Sequence, residues 1–146
     1  MSALLRPALS TDAGAVGAIL SEFIDTTDWM PRVHTRAQDL AHAAMLIERG
    51  WVTVADAGHV VGFIARDGAE IHALYITGPS RGRGVGARLL DDAQARADRL
   101  GLWTFAANDG AQRFYERAGF RPAGGTQGDN DEGLPDIRYL WERPAP

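Results

Sequence analysis

The stretch Arg81-Gly82-Arg83-Gly84-Val85-Gly86 has residue types that could hold an anion. Glycines at 82, 84 and 86 let the backbone turn tightly and approach a ligand, because no Cβ stands in the way. A helical pattern follows at once, so free N–H groups and the positive end of a helix dipole point at the loop. Phosphate is the usual occupant of such a place, and Arg81 and Arg83 add charge beside it. Just upstream, Glu70 and His72 lie two residues apart on a strand, hence on one face. A carboxylate and an imidazole with a near-neutral pKa are both able to take a proton.

The elements that must position these residues follow from local signals. Leu4–Ala8 suggests a short first strand, and Ser10-Thr11-Asp12 offers a helix N-cap. Val16, Ile19, Leu20, Phe23 and Ile24 recur at a helical period, fading near Thr26-Thr27. An irregular connection, Asp28 to His34, leads to a second helix capped by Thr35 and stopped at Gly50. Three antiparallel strands follow, 51–56, 60–66 and 70–77, joined by turns at Gly58 and Asp67-Gly68. A helix from Gly84 to about Arg99, a strand at 102–107, a helix over 110–118 capped by Gly119, and strands beginning at Phe120 and over 137–141 complete the chain. Gly124–Glu132 reads as a polar loop. The order β-α-α-β-β-β-α-β-α-β-β describes one domain over 1–146, a mixed α/β sheet with helices on both faces.

Composition narrows the functions. Hydrophobic residues make 45% and charged residues 23%, and the net charge is −4, which argues against a general basic field for nucleic acid. There is no cysteine, which excludes disulfides, thiolate metal sites and a cysteine nucleophile. All 15 basic residues are arginine, so no side-chain amine can form a Schiff base or be acylated. No apolar run approaches a membrane span and the first residues lack a signal-peptide pattern, so a cytoplasmic location is expected.

Which phosphate ligand the loop takes is decided by its surroundings. A P-loop needs a lysine and is out. A dinucleotide fingerprint is met formally by Gly82, Gly84 and Ala87, with Asp109 as the acid, but the hairpins leave no room for parallel βαβ units. The loop does match Arg/Gln-x-x-Gly-x-Gly/Ala, and Asn108-Asp109-Gly110-Ala111-Gln112-Arg113-Phe114-Tyr115-Glu116-Arg117-Ala118-Gly119-Phe120 resembles Asn-x-x-Ala-x-x-Phe-Tyr-x-x-x-Gly-Phe. These are the two signatures of the GNAT superfamily of acetyl-CoA-dependent N-acetyltransferases, in register and in the family's element order.

The resemblance implies a sheet splayed between strands 4 and 5, with acetyl-CoA in the split and no metal. Leu74, Tyr75 and Ile76 would pair with the pantetheine arm, and Arg81, Gly82, Arg83, Gly84, Val85, Gly86 and Ala87 would hold the pyrophosphate. Asn108 would hydrogen-bond the arm. Tyr115 would protonate the departing sulfur, the Ile76 N–H would serve the oxyanion of a tetrahedral intermediate, and Glu70 or His72 would be the base. Trp29, Met30, His34 and Trp141 could wall the acceptor site, with Asp28, Asp129, Asp131 and Glu132 drawing in a cation. The expected acceptor is a small-molecule primary amine, with a protein amine or a non-catalytic acyl-CoA-binding module as alternatives. Neither nucleic acid nor membrane is expected as a partner, and the last strands are where a homodimer would form.

Overall fold

Apolar residues alternate along the central strands and face two ways. Val52, Val54, Phe63 and Ala65 pack with Val16, Ile19, Ala43 and Leu46 on one side. Ala55, Ile64, Ile71, Leu100 and Leu102 pack with Leu89, Leu90, Ala93 and Tyr115 on the other. The computed structural model describes residues 3–146. Its strands are β1 (Leu4–Pro7), β2 (Val52–Asp56), β3 (Val60–Asp67), β4 (Glu70–Ile76), β5 (Arg99–Phe105), β6 (Arg121–Thr126) and β7 (Asp136–Glu142). The helices are α1 (Ala13–Thr26), α2 (Arg36–Glu48), α3 (Val85–Arg96) and α4 (Asp109–Arg117). Helices α1 and α2 lie on one face, α3 and α4 on the other. Large side chains such as Tyr139, Phe63 and Leu89 are fully buried, each worth roughly 2–3 kcal/mol of apolar transfer. Among the described residues no helix is long and apolar enough to cross a membrane.

The strands form a 7-stranded sheet in the order β1-β2-β3-β4-β5-β7-β6. Every neighbouring pair is antiparallel except β4 and β5. That parallel pair is in register only at Glu70↔Gly101. Past this point the strands part, and the sheet is splayed between strands 4 and 5 as expected. A β-bulge between Ala65 and Arg66 leaves His72 without a partner on β3. One extra residue on one strand bends it and increases its twist.

Three boundaries differ from the sequence expectation. The third helix ends at Arg96 rather than near Arg99, and β5 begins at Arg99. The guanidinium of Arg143, beyond β7, collects the carbonyls of Gln94, Ala95 and Ala97, an ending supplied from 46 to 49 residues away. Strand β6 runs on to Thr126, through Gly124 and Gly125, because it is paired with β7. At the first helix the N-cap position is Asp12, within the expected Ser10-Thr11-Asp12, although its side chain does not cap the helix. Residues Ser10–Asp12 form a 3₁₀ turn, and the Asp12 carboxylate accepts from the Leu9 N–H at 2.7 Å and from Arg6. Thr35 does cap α2, in a reciprocal box with Gln38.

Candidate active site

The edge of β4 that faces the split is set by strand alternation. Thr77 N–H donates to Val61 O on β3 at 2.9 Å. Backbone groups of an antiparallel strand point alternately to either side. Tyr75 therefore faces β3, while Leu74 and Ile76 face the gap that β5 has left. The Ile76 carbonyl is taken by Arg81 Nε at 3.1 Å. The Leu74 groups and the Ile76 N–H remain on the free edge. Tyr75, expected to offer backbone, offers its ring instead.

A cleft of about 920 Å³ runs along this edge. One end is the glycine loop, where Gly82 and Gly84 have φ of +76° and +81°, a left-handed region that strains any other residue. Gly84 is also the N-cap of α3. A Cβ at either glycine would meet no heavy atom within 4 Å, so the loop is kept bare toward open space. The N–H groups of Val85, Gly86 and Ala87, in the first turn of α3, have no intrahelical partner. Bare backbone, a helix dipole and Arg81 together fit a pyrophosphate. Arg81 is held in turn between Ile76 and Glu22, whose carboxylate accepts from Gly78 N–H at 2.6 Å and lies 3.9 Å from Arg81. Arg83 does not line the cleft.

The middle of the cleft is walled by Leu74, Ile76, Asn108, Phe114 and Tyr115. Asn108 caps α4, its Oδ1 accepting from Ala111 N–H at 3.0 Å, which leaves its amide NH₂ free to donate. Tyr115 is buried, and its hydroxyl makes no hydrogen bond among the described residues yet leaves no buried polar atom unsatisfied. It therefore opens on the cleft. Burial, and secondly the nearby Tyr75, push the Tyr115 phenol well above the usual tyrosine range. It is a neutral proton donor at physiological pH. Glu116, its neighbour on α4, accepts from Tyr139 OH at 2.7 Å and pins the helix to β7.

On the α1 side the cleft is aromatic. Tyr75 of β4, Phe23 of α1, Trp29 and Phe105 of β5 form a chain of rings with centroids 4.7, 6.4 and 5.7 Å apart. The chain spans the split. Burial, and secondly Glu132, push the Tyr75 phenol up to about 12. Trp29 is delivered by a loop that Arg32 organises, binding Asp25, Asp39 and the carbonyls of His34 and Ser21. Phe23 and Phe105 were read from the sequence as core or strand residues. Only their position at the split marks them as lining.

A smaller recess of about 80 Å³ adjoins the cleft at Tyr75, Asn108 and Tyr115 and reaches His72 and Trp103. His72 is stacked on Trp51, centroids 5.0 Å apart and planes 12° off parallel. Glu70 does not line either space. Both its oxygens accept from Arg138, at 2.7 and 2.8 Å. Met30 and His34 also lie off the cleft. His34 Nε2 stands 3.4 Å from Asp131, joining the α1–α2 connection to the β6–β7 loop. Trp141 lies in the core beside Phe120, on the opposite face of the sheet from Trp103.

A splayed mixed sheet, a bare glycine loop at a helix start and a phenol in the wall of the same cleft define an acyl-CoA N-acyltransferase fold. The chain belongs to the GNAT family: the family described as "Acetyltransferase (GNAT) domain" matches residues 28–142. It is similar to the peptidyl-lysine N-acetyltransferase YjaB of Escherichia coli K12, 33% identical over 96 residues. That match covers 66% of this chain and 65% of the relative, just under two-thirds of the relative's length. The solution structure of apo YjaB from Escherichia coli superposes with a TM-score of 0.81 at 24% identity, over 99% of this chain and 100% of that one. The structure of YncA from Salmonella typhimurium with its cofactor acetyl-CoA superposes with a TM-score of 0.73 at 17% identity, over 100% of this chain and 98% of that one.

Proposed function

We propose that this protein moves an acetyl group from acetyl-CoA to the primary amine of a small molecule. The observation that carries the reading is the continuity of one cleft, from the bare loop at Gly82–Ala87, along the free Leu74–Ile76 edge, to the Tyr115 hydroxyl. When bound, acetyl-CoA supplies an acetyl carbon activated as a thioester. Residues 82–87 hold the pyrophosphate with backbone N–H groups. Leu74 binds the pantetheine amides as an added strand would, and the Asn108 amide donates from the opposite side. The Ile76 N–H faces the thioester carbonyl as its oxygen gains charge.

Two protons must leave the nitrogen and one must reach the sulfur. An alkylamine with a pKa near about 10 arrives mostly as the ammonium. His72 is our choice to take its proton, because it lines the recess beside the cleft and is reached by solvent. The nitrogen–carbon bond forms first; as the tetrahedral intermediate collapses and the carbon–sulfur bond breaks, Tyr115 gives a proton to the sulfur, and the second proton of the attacking nitrogen restores the phenol. The YncA structure, with its cofactor named, supports acetyl-CoA as the donor.

A lysine side chain of a protein is the second reading. It is favoured by the name of the YjaB relative and by the small volume of the recess, about 80 Å³, which suits an unbranched methylene chain better than a bulky amine. Thiol release from acetyl-CoA, measured across a panel of amino acids, polyamines, aminoglycoside-like amines and lysine peptides, tests both. Turnover of a small amine with kcat/KM above that of any peptide is expected; the reverse ranking makes the enzyme a protein acetyltransferase. Acetyl-CoA binding with no turnover on any amine makes the protein an acyl-CoA-binding module.

A further inference from the structure

Arg138 is drawn across three strands. It rises from β7 opposite Trp103 of β5 and reaches β4, where both terminal nitrogens donate to Glu70. On the way it passes over Gly101. A Cβ there would stand 2.9 Å from Arg138 Cζ and collide with a terminal nitrogen. Gly101 is also the residue of β5 in register with β4, opposite Glu70, and its N–H donates to Ala69 O at 2.7 Å. Trp103 lies over the guanidinium, 5.5 Å from Cζ to the ring centre. The pair is mostly shielded, with Arg138 23% and Glu70 33% exposed.

We propose that Glu70 and Arg138 form a clamp at the apex of the β4–β5 split, and that Arg138 is a positioning residue for the cofactor arm. This rests on the reading that the arm lies along Leu74–Ile76. Parallel strands joined at one register pair have few backbone bonds to hold them together. A two-pronged guanidinium–carboxylate pair has a fixed planar geometry, so it fixes where the strands begin to part. That point sets the slot width six residues on, at Ile76. The clamp also takes Glu70 out of proton transfer, because both carboxylate oxygens accept from the guanidinium. Gly101 is glycine because the arginine needs its space.

The test compares Arg138→Gln, Glu70→Gln, the double variant and Gly101→Ala with the parent chain, each checked for folding by thermal melting. The readouts are amide exchange at Gly101, CoA affinity by calorimetry and the pH dependence of kcat/KM. Each single variant should speed Gly101 exchange and weaken CoA binding about tenfold, the loss expected for one charge-assisted pair. The double should be no worse than either single. Gly101→Ala retains both charges and should show the same loss, and Arg138→Gln should gain an acid-range limb that the double lacks. Parent-like exchange and affinity in folded Arg138→Gln, or additive losses in the double, would overturn the clamp. Faster Gly101 exchange in a protein that never binds CoA would uphold the clamp and reject the cofactor reading.

Discussion

On its α3 side the cleft is made of backbone: the loop at 82–87, the free edge of β4 and the first turn of α3. On its α1 side the cleft and its adjoining recess are made of side chains, Phe23, Trp29, Tyr75, Phe105 and His72, brought from α1, the α1–α2 connection, β4 and β5. A backbone-built site is contiguous in sequence and tolerates little change, because each N–H comes from a fixed φ/ψ. A wall of side chains can be rebuilt one residue at a time. The first suits a cofactor that does not vary, the second an acceptor that does.

The sharpest break between the halves is expected from Gly84→Val. It strains a position with φ of +81° and fills the bare loop. Loss of two such charge-assisted donors weakens CoA binding about 100-fold, measurable by calorimetry. Equal CoA affinity would mean that the loop is not the pyrophosphate cradle. Tyr115→Phe comes next: kcat should fall at least about tenfold, with acetyl-CoA affinity nearly unchanged. Unchanged turnover would remove the phenol from the chemistry.

His72→Ala should lower kcat/KM for the acceptor by about tenfold and abolish the acidic limb of its pH profile, while leaving CoA binding intact. A parent-like acidic limb would move the proton acceptor elsewhere. The smallest effect belongs to His34→Ala. Its contact with Asp131 is exposed at 47% and 74%, and such pairs contribute about 0–1 kcal/mol. Acceptor KM should change less than about twofold, and a larger change would make that bridge part of the acceptor wall.

Both halves share a stability prediction. Burial raises the phenols of Tyr75 and Tyr139 to about 12, aided at Tyr139 by its hydrogen bond to Glu116, and raises Tyr115 further. Groups with raised folded pKa values keep their stabilising effect below the unfolded value near about 10 and lose it as pH climbs through the folded values. The melting temperature should hold steady up to about pH 10 and fall steeply above it. A flat profile to pH 12 would mean that these phenols are not buried.

Much of the fold was legible because its signals are local. Thr35, Gly50, the Asp67-Gly68 turn and the period of Val16, Ile19 and Phe23 each mark an element within a few residues. The end of α3 was misjudged because Arg143, from beyond the last strand, supplies it. The loop at 82–87 and the Asn108–Phe120 stretch were legible for the same reason as the turns: glycine, arginine and a cap state their geometry in place.

The acceptor side was legible only in fragments. Glu70 and His72 share a strand face in the sequence and part company in space, because Arg138 of β7 reaches across to one of them and Trp51 stacks on the other. Phe23 and Phe105 have the pattern of core residues and line a cleft instead, because β4 and β5 separate where they would otherwise have been covered. By itself the sequence determined where the backbone can bend and stand bare, hence the place of the proposed anion cradle, since those are properties of single residues and their neighbours. The tertiary structure alone decided which side chains meet across the split, since that depends on long-range pairing of strands that local signals do not encode.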